Sequence, residues 1–182
     1  MMKKIIVTLL SLGVVVGVFF AFNQYIYNKK QGDQKPALSP KDTTYVIEGR
    51  VIKLNNGFSE IESVLGSASK ITTRYFGNEV VADLDKDGRE DIVFLLTQET
   101  GGSGTFFYAV ASLNKESGYE GSQGFLLGDR IAPQTTGKGE NNSIIVNFAE
   151  RGPGESFDVR PLFGKSIWLL FDSEAMKFNK IK

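Results

Sequence analysis

The pattern of apolar and polar positions divides the chain into three stretches of different character. Residues 5–22 form an apolar run without a single charge, and the uncharged stretch continues to Tyr27 before Lys29 and Lys30. At about 1.5 Å per residue it is long enough to cross a hydrocarbon core of about 30 Å. The run predicts one transmembrane helix over about residues 5–27, with Tyr25 and Tyr27 in the headgroup layer. Residues 28–42 turn polar, with Gly32, Pro36, Pro40 and both signs of charge. Such a composition cannot bury a core and reads as a stalk or linker.

From Thr43 onward, short apolar runs are punctuated by Gly and Asn. Residues 45–47 and 50–54 flank Glu48 and Gly49 as a tight hairpin, and Asn55, Asn56 and Gly57 form a turn signal. Further strands are predicted at residues 70–76, 91–97, 105–113, 124–127, 143–148, 166–171 and 176–181. The expected fold of residues 43–182 is therefore all-β, a mainly antiparallel sandwich or barrel-like domain behind one N-terminal transmembrane helix. Residues 92–96 and 106–111 are apolar at every position, the mark of central strands covered on both faces. Residues 144–148 alternate, with Ile144, Val146 and Phe148 on one face. Trp168 lies in the apolar run 167–171 and reads as core. One stretch carries helix signals: Ser59 and Glu62 have capping-box spacing, and Gly66 supplies a stop.

Composition narrows the chemistry. There is no Cys and no His, which removes disulfides, Cys-ligated metals, thiol nucleophiles, the Ser-His-Asp triad and His-zinc hydrolysis. Formal charge is zero overall, but residues 1–42 carry six Lys against two Asp, and the rest carries 15 basic against 19 acidic residues. A basic footprint for nucleic acid is missing. The apolar run is longer than a signal-peptide core, and Phe19 occupies the −3 place for cleavage after Ala21, so an uncleaved anchor is favoured over a secreted, cleaved product. Both readings export the β domain. Lys3 and Lys4 face Lys29 and Lys30 across the span, which leaves little charge bias to set its orientation.

One motif carries chemistry. Residues 83–91 read D-x-D-x-D-G-x-x-D, with Asp83, Asp85 and Asp87 at alternate places, Gly88 for a sharp turn, and Asp91 to close the loop. The carbonyl of Arg89 completes an all-oxygen ligand set, which suits Ca²⁺ better than Mg²⁺. Without a cation, the four acids repel one another. The loop is not an EF-hand, because position 12 is Phe94 where a bidentate Glu is needed.

Residues 76–94, with Phe76, Gly77, the Asp loop and an apolar strand after it, resemble one FG-GAP repeat of the integrin α-subunit type. The resemblance implies a β-hairpin calcium loop with Asp83, Asp85, Asp87, the Arg89 carbonyl and Asp91 as ligands. A propeller needs several four-stranded blades, so a single repeat points to a smaller β fold. The exported region also resembles an uncharacterised exported bacterial domain family, on Tyr45, Ile47 and Gly49, residues 66–70 and 74–78, the Asp loop, residues 101–106 and residues 128–134.

Weaker features read as structure. Residues 98–104 are Gly-rich but precede no helix, so a hairpin loop is expected and not a phosphate cradle. Asp129 and Arg130 form a candidate ion pair, and residues 151–155 a surface loop. Glu48, Glu79, Glu99, Asp129 and Glu150 are the carboxylates from which a hydrolase pair would have to come. The leading expectation is a non-enzymatic, membrane-tethered, extracytoplasmic calcium-binding domain with a binding, adhesion or envelope role. The alternatives are an exported carboxylate hydrolase acting on polysaccharide or peptidoglycan, and an accessory subunit of a membrane complex pairing through Gly13 and Gly17.

Overall fold

The structure, a computed structural model, describes residues 39–181. The anchor expected at residues 5–27 and most of the stalk lie outside these residues. Among the described residues no helix is long and apolar enough to cross a membrane.

The described chain is all-β, and its paired strands are antiparallel. A hairpin of β1 (Thr44–Ile47) and β2 (Arg50–Lys53) stands apart as a two-stranded unit. Glu48 and Gly49 close it with φ of 49° and 73°. Two left-handed residues in succession match the twist of the flanking strands. Next come β3 (Phe58–Glu62), β4 (Lys70–Ala82), β5 (Asp91–Glu99) and β6 (Phe106–Lys115), paired in that order. The far edge of β6 is shared: β7 (Gly118–Gly121) covers residues 112–115 and β8 (Phe125–Asp129) covers residues 106–109. A second sheet holds β9 (Ala132–Lys138), β10 (Ile144–Glu150), β11 (Phe163–Asp172) and β12 (Lys177–Lys180) in the order β12-β11-β10-β9.

The fully apolar strands β5 and β6 divide two cores. Val93, Leu95, Ala109, Ala111 and Leu113 point to one side and pack with Ile144, Val146, Phe148, Leu169 and Phe178 of the second sheet. Phe94, Leu96, Tyr108 and Val110 point to the other and pack with Tyr45, Ile47, Ile52 and Leu54 of the hairpin. Each buried Val, Leu, Ile or Phe side chain among them contributes roughly 1.5–3 kcal/mol. The result is three layers, hairpin, large sheet and small sheet. The all-β, antiparallel reading therefore holds, with the two sheets sharing one core and the hairpin covering the far face of the large sheet. Close approach there depends on glycine: a Cβ on Gly121 would lie 2.3 Å from the Thr44 carbonyl oxygen, and one on Gly124 2.5 Å from Ile47 Cδ1.

Several expectations need correction. Residues 58–62 are a strand, not the start of a helix, and pair with residues 70–74 of β4. Ser59 is buried between exposed neighbours, a period of two that outweighs the capping-box spacing. Glu62 serves the turn instead, accepting the Gly66 amide at 2.8 Å. Trp168 is half-buried and lies outside both cores. Ile167, Leu169 and Phe171 take the inward places of β11, so Trp168 falls on the opposite face beside Gly139. Strands β7 and β9 carry too little apolar character to be read from sequence. Pro133 is tolerated in β9 because that strand is an edge and its pairing with β10 shifts register there. Residues 39–42, the end of the segment read as stalk, are tied to the β domain. Tyr45 donates its hydroxyl to the Pro40 carbonyl at 2.7 Å, and Gly57 its amide to the Lys41 carbonyl at 2.7 Å.

Candidate metal centre

The Asp loop connects β4 to β5, the hairpin position that the repeat resemblance implies. Gly88 has φ of 84° and Lys86 of 62°, so the chain reverses sharply twice within residues 85–88. Lys86 pays the steric cost that glycine avoids, on the order of 1–2 kcal/mol. The turn is pinned by its own carboxylates. The Asp87 amide donates to Asp83 at 3.1 Å and to Asp85 at 3.2 Å, and the Gly88 amide donates to Asp83 at 3.1 Å. The side chains of a D-x-D-x-D-G run thus organise the loop that carries them.

Three of the four acids converge. Carboxylate oxygens of Asp83, Asp85 and Asp91 lie within 4.8 Å of one another. Oxygens on opposite sides of an ion at about 2.4 Å each are about 4.8 Å apart, so one Ca²⁺-sized cation can touch all three. Asp91 is fully buried, and Asp83 and Asp85 are half-buried. The donor set is hard oxygen throughout, which fits Ca²⁺ or Mg²⁺ and not a thiophilic metal.

Asp91 is the anchor of the arrangement. Its Oδ2 accepts the Leu84 amide and its Oδ1 the Asn114 amide, both at 2.8 Å. One buried carboxylate therefore joins the loop to β5 and β6. Burial pushes its pKa above the usual carboxylate range, the charges of Asp85 and Asp87 push it further, and the two amides pull it back.

Asp87 faces elsewhere. Its Oδ1 accepts the Arg89 amide at 2.9 Å and its Oδ2 the Arg89 guanidinium at 2.5 Å. The Arg89 amide, followed by burial acting in the opposite sense and by the Arg89 and Lys115 charges, leaves Asp87 below the usual range. Arg89 also donates from Nε to the Asn114 carbonyl at 2.6 Å, so its side chain braces the loop against β6.

Three partners were not legible as site residues. Lys115, at the end of β6, places its ammonium against Asp85 and 3.8 Å from Asp87. The bond to Asp85 holds the Lys115 pKa above its ordinary value. Asn142 donates from Nδ2 to the Asp83 carbonyl at 2.9 Å. Asn114 acts only through its backbone. The β5–β6 register, Ile92 opposite Ser112, brings residues 114 and 115 to the loop. An apolar strand pair does not display that register in sequence.

The other carboxylates are dispersed. Glu79 accepts the Tyr75 hydroxyl, Asp129 pairs with Arg130, and Glu150 pairs with Lys165. Residues 100–105 join β5 to β6 as a hairpin loop. Arg130 also stacks on Phe157, and Arg151 donates to the Phe157 and Arg130 carbonyls at 3.0 and 2.8 Å, which holds the 151–162 loop.

No family model, no curated protein and no solved structure matches the chain. These comparisons support neither the FG-GAP resemblance of residues 76–94 nor the resemblance to an exported bacterial domain family.

Proposed function

We propose that the protein is a membrane-tethered, extracytoplasmic β domain whose β4–β5 loop binds one structural Ca²⁺, and that it acts by binding in the cell envelope and not by catalysis. The observation that carries this reading is the convergence of Asp83, Asp85 and Asp91 at a spacing that one cation spans. Asp87 and the Arg89 carbonyl, the remaining ligands of the sequence reading, lie in the same turn. Ca²⁺ is favoured over Mg²⁺ because it accepts irregular coordination by carboxylates and a backbone carbonyl, whereas Mg²⁺ demands a near-ideal octahedron and keeps several waters. The cation would supply charge neutralisation and loop closure. Lys115 then has two roles: counter-charge when the ion is absent, and a competitor that must yield when it binds. That competition points to weak affinity, about 0.1–1 mM, in the range of extracellular modules. The uncharged run at residues 5–27 supports the tether, and the polar stretch after it supports a spacer.

Two measurements test the reading. Calorimetric titration of the full-length chain with CaCl₂ should give one site, weaker with MgCl₂ and lost in Asp85→Ala. Membrane fractionation followed by protease treatment of intact cells should place the chain in the membrane fraction with the β domain cleavable from outside. A soluble cytosolic pool of full-length protein, or heat of binding unchanged in Asp85→Ala, would overturn it.

A further inference from the structure

The opposite end of β5 and β6 holds a cavity of about 470 Å³. Its wall includes Glu48 and Arg50 from the β1–β2 hairpin, Gln98 from β5, Phe106 and Tyr108 from β6, and Leu126 from β8. The volume falls within the roughly 300–1,000 Å³ of small-molecule sites, and the mix of apolar wall and few polar groups is typical of them. We propose that this cavity is a binding site for a neutral saccharide of one or two rings, held without being cleaved.

Four features of the wall argue for that class. Among the described residues Glu48 and Arg50 are its only charged groups and cancel, so neither a cation nor an anion is selected. The polar groups are of complementary kinds: a carboxylate that accepts, a guanidinium that donates, and an amide and a phenol that can do both. Sugar hydroxyls donate and accept at once, and so use such a set more fully than a ligand with one functional group. The rings of Phe106 and Tyr108 give an apolar surface of the sort on which the C–H face of a sugar packs. Among the described residues Glu48 is the only carboxylate of the wall, whereas glycoside hydrolysis needs two facing ones, which favours binding over cleavage.

The polar groups are also held in place before a ligand arrives. Arg50 donates from Nη1 to the Ser63 carbonyl at 2.8 Å. Gln98 is buried and donates from Nε2 to Thr73 Oγ1 at 3.1 Å. Glu48 sits at φ of 49° in the hairpin turn, which fixes its backbone beside the cavity. Fixed groups lose less entropy on binding than mobile ones. The cavity lies about seven residues of β5 from Asp91, roughly 24 Å at about 3.4 Å per residue, so it does not share atoms with the Asp cluster.

The test is an amide chemical-shift titration of the full-length chain in a non-glycosidic detergent, with cellobiose and with N,N′-diacetylchitobiose at up to about 20 mM, enough to fill a millimolar site. Zwitterionic alanylphenylalanine is the counter-probe. At least one disaccharide should shift the Gln98, Phe106 and Tyr108 amides saturably and release no monosaccharide. Glu48→Gln and Arg50→Ala should each weaken it about tenfold or more. Both replaced side chains are exposed, and the wild-type shift map stands without them. Running the titration with calcium and with chelator separates its failure from that of the calcium reading. Absent or misplaced shifts with both sugars, tighter binding of the dipeptide, cleavage, or unchanged affinity in both variants would overturn the proposal.

Discussion

The two ends of β5 lie on one continuous strand and solve opposite problems. At Asp91 the chain gathers three carboxylates and holds them with backbone amides and a lysine, while an arginine takes the neighbouring Asp87. At Gln98 it gathers uncharged and mutually cancelling groups around an open cavity. Between them Val93, Phe94, Leu95 and Leu96 are completely buried in two separate cores. A strand locked on both faces is a rigid ruler, so each end can hold its side chains in fixed places. The difference is in what each end lacks. The charged end has acids close enough for one cation to offset their repulsion, while the neutral end has two opposite charges that offset each other.

The largest expected effect comes from breaking the charged end. Asp91→Ala orphans two backbone donors at about 1–3 kcal/mol each, so chemical denaturation should show a loss of roughly 2–6 kcal/mol. Asp91→Asn keeps one acceptor and removes a charge, and should lose distinctly less. The matching truncation at the other end, Gln98→Ala, removes one hydrogen bond and should cost only about 1–2 kcal/mol. Equal losses at the two ends would erase the contrast.

Lys115→Met sharpens it. A partly exposed pair is worth under about 1 kcal/mol, so the metal-free protein should lose little stability. The calcium-induced rise in melting temperature should grow in this variant, because the competing ammonium is gone. A smaller rise would mean that Lys115 assists the cation.

The smallest effect belongs to the neutral end and to alkaline pH. Burial, with the Glu48 charge and hydrogen bond adding to it, pushes Tyr108 up to about 12. A folded-state pKa raised above the ordinary value of about 10 contributes stability below pH 10 that is lost as pH rises toward 12. Melts at pH 9 and pH 11 should therefore differ less in Tyr108→Phe than in the wild type. Tyr75, raised to about 12 by burial and Glu79, and Tyr45, raised further by burial, both contribute to the remaining slope.

Much of this architecture was legible in the residues. The unbroken apolar runs of β5 and β6 announced strands covered on both faces, and the Asp loop announced its own turn. What could not be read depended on register or parity. In the run 167–171 every residue is apolar, so nothing in the sequence says that Trp168 faces away from the core. At Ser59 a capping spacing and a two-residue alternation compete over five residues, and pairing with β4 decides between them. Lys115 joins the Asp loop only because β6 returns along β5. The cavity was equally hidden, since its wall draws on the hairpin, β5, β6 and β8, and only the fold brings them together.

The central claim is that the Asp loop uses a cation as part of the fold. The most direct measurement is a thermal melt of the full-length chain with calcium and with chelator, repeated on Asp85→Ala. At a calcium level near 100 times the dissociation constant, the stabilisation should be about 2.7 kcal/mol, seen as a clear rise in melting temperature that the variant lacks. Identical melts with and without calcium in the wild type would contradict the account and leave residues 83–91 an acidic turn held by Lys115, Arg89 and its own amides.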